Sequence, residues 1–326
     1  MKDRTLYPCP CCGRSAFTKE NLHGYCPECC WKDAESDAMI EDFGDNVDRL
    51  TITEAKKCYD EFGVCDLCFL PYVSGKPESE WPENDRNFIA AGLNNAGWGL
   101  VQGCFGHAPD IEHSIAWFEK AVSYGSITAM LNLGNIYEGT ISGKKDKDSP
   151  YIDYEKAYRW YLEAAIAGDK TGMYNVANMY YWGEFVDRDY AKAYEYFKKL
   201  ARDYNFASAY FYLGLYAEKG LLGPVDGGKA IEYYLKAIEG RDGASATNLG
   251  AMCCKGELIP KDPERGFECY KLALELGDEL AYPNIGYCYE AGQGVEKNME
   301  LAVAYYKAGA DRGEENCIEA LKRLHR

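Results

Sequence analysis

From about residue 89 to the C-terminus, small and apolar residues recur at three- and four-residue spacing, and the pattern itself repeats. Five segments align: LGNIYEG from Leu133, VANMYYWGE from Val176, LGLYAEKG from Leu213, LGAMCCKG from Leu249 and IGYCYEAG from Ile285. Each puts a small residue in the same slot, at Gly134, Ala177, Gly214, Gly250 and Gly286, and AGWGLVQG upstream adds a sixth copy with Gly97. The last three steps are 37, 36 and 36 residues; the step from Gly134 is 43, because GKKDKDSP adds a loop near 143–150. Each copy has a second half: IAWFEKA, AYRWYLEAA, AYEYFKKLA, AIEYYLKAI, GFECYKLAL and AVAYYKAGA. One apolar face at this period predicts an amphipathic helix. Glycines at Gly103, Gly183, Gly220, Gly256 and Gly292 stop most first helices. Each repeat therefore reads as an antiparallel helix pair in which the small slot lets two axes approach and an aromatic on the facing helix fills the gap. A single hairpin cannot bury its apolar face, so the copies must stack. The expectation is an all-α fold, a right-handed α–α superhelix of about six helix-pair repeats over residues 89–326.

The repeat carries a family likeness. LG-x-x-Y-x-x-G followed by KA-x-x-W/Y-Y-x-x-A resembles the Sel-one-like repeat, a relative of the tetratricopeptide repeat. NVANMYYWGEFVDRDYAKAYEYFKKLA and NIGYCYEAGQGVEKNMELAVAYYKAGA are the clearest copies. The copies near Ala90 and Gly243 depart from the pattern, with Leu100 and Cys253 in the aromatic slot. The resemblance implies a TPR-like solenoid that acts as an adaptor holding other proteins. Tetratricopeptide-type lining positions flank the small slot; carried onto this chain they give Asn94, Trp98, Asn135, Tyr174, Asn178, Tyr181, Trp182, Phe211 and Tyr287. Asparagine bonds an extended backbone and large rings serve as anchors, so these residues suit a protein or peptide partner.

Ahead of the repeats the texture differs. Residues 71–88 hold Pro71, Pro77, Pro82 and Gly75 among polar residues and read as a linker. Residues 1–70 are cysteine-rich: six cysteines fall within residues 9–30, in CPCCG and CPECC. Cys9 with Cys12, and Cys26 with Cys29, are two CxxC pairs separated by thirteen residues. Tight turns that each aim two thiolates at one point supply the tetrahedral sulfur set of a structural Zn²⁺, and such a metal replaces the core a module this small can barely build. Cys11 and Cys30 are left over. Cys58, Cys65 and Cys68 admit a second metal site but read first as small buried hydrophobes. Thr51 or Thr53 caps an expected helix over about 54–62. CPCCG, CPECCW and TITEAKKCYDEFGVCD together resemble the bacterial cysteine-rich CPCC domain over roughly residues 6–70. Here Cys30 stands where that family has an aromatic, and Lys32 interrupts its acidic run. The resemblance implies a small metal module; the zinc-ribbon-like spacing of the two pairs gives a tetrathiolate site with no open coordination position for catalysis.

Composition and charge then narrow the function. The chain has 326 residues, 47% hydrophobic, with 15 cysteines, nine of them before residue 69. Met1–Pro8 carries Lys2, Asp3 and Arg4 with no apolar run after it, and no stretch approaches the ~20 apolar residues of a membrane span. The expected address is the cytoplasm, where clustered CxxC pairs bind metal before they form disulfides. A net charge of −16 argues against nucleic acid as partner. No HExxH, GxSxG, phosphate loop or dinucleotide fingerprint appears, so an enzyme has no residues to stand on. GCFGHAPDIEH, with His107, His113, Cys104, Asp110 and Glu112, offers metal-binding groups, but Asp110 more naturally opens the next helix. The reading is a non-catalytic interaction scaffold that binds a partner on the concave face of the repeats. Two rivals stand beside it. One is a bacterial immunity protein that neutralises a basic toxin through charge. The other is a redox or zinc sensor using Cys11, Cys30, Cys65 and Cys68.

Overall fold

The computed structural model describes Tyr7–Pro8, Ser15–Phe17 and residues 83–102, 109–141 and 143–324. β1 (Tyr7–Pro8) pairs antiparallel with β2 (Ser15–Phe17), Tyr7 opposite Phe17. The expected helix near 54–62, and the cysteines before residue 69, lie outside the described residues.

Thirteen helices follow among the described residues: α1 (Glu83–Gln102), α2 (Ile111–Ser123), α3 (Ile127–Glu138), α4 (Tyr154–Ile166), α5 (Lys170–Trp182), α6 (Tyr190–Tyr204), α7 (Ala207–Lys219), α8 (Gly227–Glu239), α9 (Gly243–Lys255), α10 (Pro263–Glu275), α11 (Ala281–Ala291), α12 (Met299–Ala310) and α13 (Glu315–Leu324). They pair as six hairpins, α1–α2 through α11–α12, with α13 packed after the last. Two compact units divide the chain, Met1–Asp169 and Lys170–Arg326.

Helix starts follow one local rule. Asp110, Asp153, Asp189, Asp226 and Asp262 cap α2, α4, α6, α8 and α10, each side chain accepting from the amide three residues on; Asn298 does the same for α12. An aspartate there satisfies an orphan N–H and complements the helix dipole. The backbone N–H of Lys156, Lys192 and Lys229 holds the carboxyls of Asp153, Asp189 and Asp226 below the usual carboxylate range, and the lysine ammonium adds to it. Helix ends use left-handed glycines: Gly139, Gly220, Gly256 and Gly292 terminate α3, α7, α9 and α11.

Two elements differ from the sequence expectation. α1 begins at Glu83, inside the stretch read as linker. Its first turn, ENDRN, is polar and hides the apolar period, yet Pro82 just before it and Glu83 and Asp85 within it are a good helix start. The inserted segment after Gly139 contains a two-stranded hairpin, β3 (Thr140–Ile141) against β4 (Lys144–Lys145), where the lysines suggested plain loop.

The core runs between first and second helices of each pair. An added Cβ at Gly214 or Gly286 would sit 2.5 Å from the ring of Tyr234 or Tyr306, and at Gly250 it would sit 2.8 Å from Tyr270. Tyr161 overlies Gly134 and Phe118 overlies Gly97 in the same way. Tyr161, Tyr234, Phe118 and Phe197 are fully buried. The buried phenols need acceptors, and the residue four beyond the slot provides one. The Tyr161 hydroxyl lies 2.9 Å from Glu138 Oε2 and 2.8 Å from Asn135 Oδ1, with one proton to share between them; Tyr234 donates to Glu218 at 2.5 Å; Tyr306 donates to Glu290 at 2.8 Å. Where the facing ring is phenylalanine, at Phe118 and Phe197, that position is Val101 or Tyr181 and carries no carboxylate. Repeat five is the variant: Tyr270 meets the sulfur of Cys254.

The last hairpin closes on α13. Arg323 makes a bidentate pair with Glu290, at 2.5 and 2.6 Å, on the carboxylate that also receives Tyr306. The Arg323 guanidinium, with Tyr306, holds the Glu290 carboxyl low. A depressed carboxyl stabilises the fold above its unfolded pKa, and the contribution fades as pH falls through the folded value. The protection of the Glu315–Leu324 amides, taken relative to their intrinsic exchange rate, should therefore fall selectively as pH drops through the carboxylate range. Arg323→Ala should produce the same loosening at neutral pH. Exchange in α13 that matches wild type in both cases would refute the clamp.

Candidate interaction surface

Position relative to the small slot decides where each predicted lining residue sits. The residue four beyond the slot faces its own second helix, as Glu138, Glu218 and Glu290 show. Tyr181 occupies that position and is 5% exposed. Its ring lies edge-on to Tyr212 at 4.9 Å and to Tyr190 at 5.4 Å, inside the second unit.

One residue beyond the slot, exposure grows. Tyr287 is 53% and Trp98 36% exposed, while Asn135 and Asn178 are half-buried. Asn135 is already engaged by the Tyr161 hydroxyl. The Asn178 side-chain oxygen is shut off from solvent and has no donor among the described residues.

Three residues before the slot lie Asn94, Tyr174 and Phe211. Asn94 is 9% exposed and accepts from Asn132 at 2.9 Å, a pair internal to the first unit. Tyr174 is half-buried against Phe206, ring centroids 5.4 Å apart. Phe211 is half-buried edge-on to Tyr212 at 5.3 Å.

Trp182 ends α5 and is 55% exposed. Its carbonyl accepts from Arg188 at 3.1 Å, its indole stands edge-on to Tyr181 at 4.9 Å, and it shares a side-chain hydrogen bond with the Tyr212 hydroxyl. The ring is thus held in one orientation while half of it faces water. Burial pushes the Tyr212 and Tyr216 hydroxyls well above the ordinary phenol range, so this aromatic cluster is uncharged at any physiological pH.

Sequence reasoning did not single out Asn175, Thr247, Asn248 or Asn284, which are half-buried on first helices of the same unit. Their signal was present: an asparagine stands two residues before the slot in five of six copies, at Asn95, Asn132, Asn175, Asn248 and Asn284.

Chemistry elsewhere is sparse. Asp110 caps α2 and pairs with His113 Nδ1 at 2.7 Å. Among the described residues no three histidine, cysteine or acidic side chains group as a metal site, and no helix is long and apolar enough to cross a membrane. Cys9, Cys12, Cys26 and Cys29 lie outside the described residues.

Comparison with known proteins adds the following. The family model for the cysteine-rich CPCC domain matches residues 7–80. The Sel1 repeat model matches six times, over residues 96–125, 127–169, 171–205, 207–242, 243–278 and 280–314. A Sel1 repeat protein from Oxalobacter formigenes is 26% identical with a TM-score of 0.59, over 73% of this chain and 89% of that one. The structure of c5321, a protective antigen present in uropathogenic Escherichia coli strains displaying an SLR fold, is 25% identical with a TM-score of 0.58. That match covers 81% of this chain and 54% of the other, so this chain spans about half of that protein. Immunity protein Pa5087 from Pseudomonas aeruginosa aligns at 17% identity and a TM-score of 0.46, over 70% of this chain and 83% of that one, which carries no argument about function. No curated protein matches the chain.

Proposed function

The chain belongs to the Sel1 repeat family, and from that premise we propose a non-catalytic scaffold that binds a protein or peptide partner on the face formed by its first helices. The observation that carries the reading is the exposure of Trp182 and Tyr287 on first helices of the second unit, where the other first-helix rings are buried or half-buried. An indole held by Tyr181 and Tyr212 has little side-chain entropy left to lose on binding, which is what makes an anchor effective. Trp98 offers a comparable ring in the first unit.

The cysteine-rich segment is proposed as a structural zinc module, with Cys9, Cys12, Cys26 and Cys29 as ligands. What supports this is the donor set itself, two CxxC pairs, together with the CPCC likeness and the β1–β2 pair that brackets the first CxxC in sequence. Four thiolates close the coordination sphere, so the ion orders the chain and performs no reaction.

The test is retrieval of a partner from the native host with wild-type chain and with the Trp182→Ala/Tyr287→Ala double variant. Both rings are exposed, so the variant should fold normally. One protein recovered in stoichiometric amount by wild type and reduced at least tenfold by the variant is the expected result. A partner retained equally by the variant would refute the assigned face.

A further inference from the structure

Charge in the second unit is sorted by helix. The second helices α6, α8, α10 and α12 carry seventeen charged side chains. The first helices α5, α7, α9 and α11 carry five: Lys170, Glu218, Lys219, Lys255 and Glu290. Two of these are consumed inside the repeats, Glu218 by Tyr234 and Glu290 by Tyr306 and Arg323. The three lysines sit at helix ends, Lys170 opening α5 and Lys219 and Lys255 closing α7 and α9. Between those ends the first helices offer only rings, amides, a hydroxyl and small apolar groups: Tyr174, Asn178, Phe211, Thr247, Asn248 and Tyr287.

The net charge of −16 does not reach this face. Across residues 170–326 Lys and Arg number 20 against 24 for Asp and Glu, so most of the acidity lies before residue 170. A cationic segment laid on this face would shed its hydration and meet only carboxylates that are already engaged, Asp278 by the Thr247 hydroxyl, Glu218 by Tyr234 and Glu290 by Tyr306 and Arg323, so little repays that cost. An uncharged one would lose only apolar surface to the rings, and its main chain would find amides to bond.

Resting on the scaffold reading above, we infer that the polypeptide stretch held by the first helices of the second unit is uncharged and rich in apolar side chains, gripped by rings and amides rather than by ion pairs. It follows that binding is insensitive to ionic strength, because screening acts on charge pairs and not on apolar burial. The acidic first half of the chain then has no part in this recognition.

The experiment pans a phage-displayed library of random dodecapeptides against the full chain. Selected peptides are resynthesised with a fluorescent label, and anisotropy titrations are run at about 50 and 500 mM NaCl, a range over which the screening length falls severalfold. The expected peptides carry no net charge and hold two or more aromatic or aliphatic residues. Their affinity changes less than threefold with salt, falls at least tenfold for Trp182→Ala/Tyr287→Ala, and is unaltered by Lys198→Glu/Lys199→Glu on the second helix α6. Basic or acidic peptides that still depend on Trp182 and Tyr287, with affinity dropping tenfold in high salt, would overturn the inference and leave the scaffold reading standing. Peptides that ignore the double variant, or no selected peptide at all, would overturn both.

Discussion

Treating the folded chain with a strong chelator should release one zinc ion and expose at least four additional titratable thiols, while the helical circular dichroism stays in place. The size of the effect comes from the module's dependence on metal. A segment of about 70 residues draws only some 3–5 kcal/mol from an apolar core, whereas apparent zinc binding by thiolate sites is worth about 10–16 kcal/mol at neutral pH. Removing the ion should therefore unfold the cysteine-rich segment outright. The helical repeats should not follow, because each hairpin's core is filled by its own facing ring and its neighbours. Cys12→Ser should lower the zinc content as chelation does, since three thiolates leave a position open.

The thiol count is readable because the five cysteines described within the repeats are free but poorly reactive. Cys253, Cys254, Cys288 and Cys317 are buried and Cys269 is half-buried. Burial pushes Cys269 and Cys317 up to about 11 and Cys288 up to about 12, so little thiolate exists near pH 8 to attack a reagent. Thiols gained on chelation therefore come from the cysteine-rich segment, and Cys12→Ser identifies a ligand among them. Chain purified natively folded without metal, or repeats that melt as the zinc leaves, would refute the assignment.

Six helix pairs, their glycine stops and the ring over each small slot were legible in the sequence because all three rest on local spacing. Gly214 and Tyr234 announce themselves once the copies are aligned. The acceptor at Glu218 did not, because identifying it requires the rotational register between two helices, which no single-helix pattern contains. The same blind spot placed Tyr181 among the lining residues, though four beyond the slot is where a side chain meets its own second helix. α1 was cut short because its polar first turn lacks the apolar period, and its start lies in Pro82 and two acids. The charge sorting between first and second helices was written in the sequence too, but it shows only once each helix is assigned to a layer.

Deleting the Tyr234 ring should be among the most damaging single substitutions in the second unit. The side chain is fully buried, stands over Gly214, and ties its hydroxyl to Glu218. Tyr234→Ala removes the ring from a gap that glycine cannot fill, at a cost of about 3–5 kcal/mol in chemical denaturation. Tyr287→Ala, the same chemical change at an exposed site of the same unit, should move stability by less than about 0.5 kcal/mol. Tyr234→Phe keeps the ring and loses the bond to a charged acceptor, worth about 1.5–3 kcal/mol. The acceptor's share can be isolated with Glu218→Ala in a double-mutant cycle. If ring and carboxylate form one unit, the pair of changes together costs clearly less than the sum of each alone. Additive losses would mean that hydroxyl and carboxylate act independently. The pairing of tyrosine with glutamate at Tyr161, Tyr234 and Tyr306, and its absence at Phe118 and Phe197, would then need another cause.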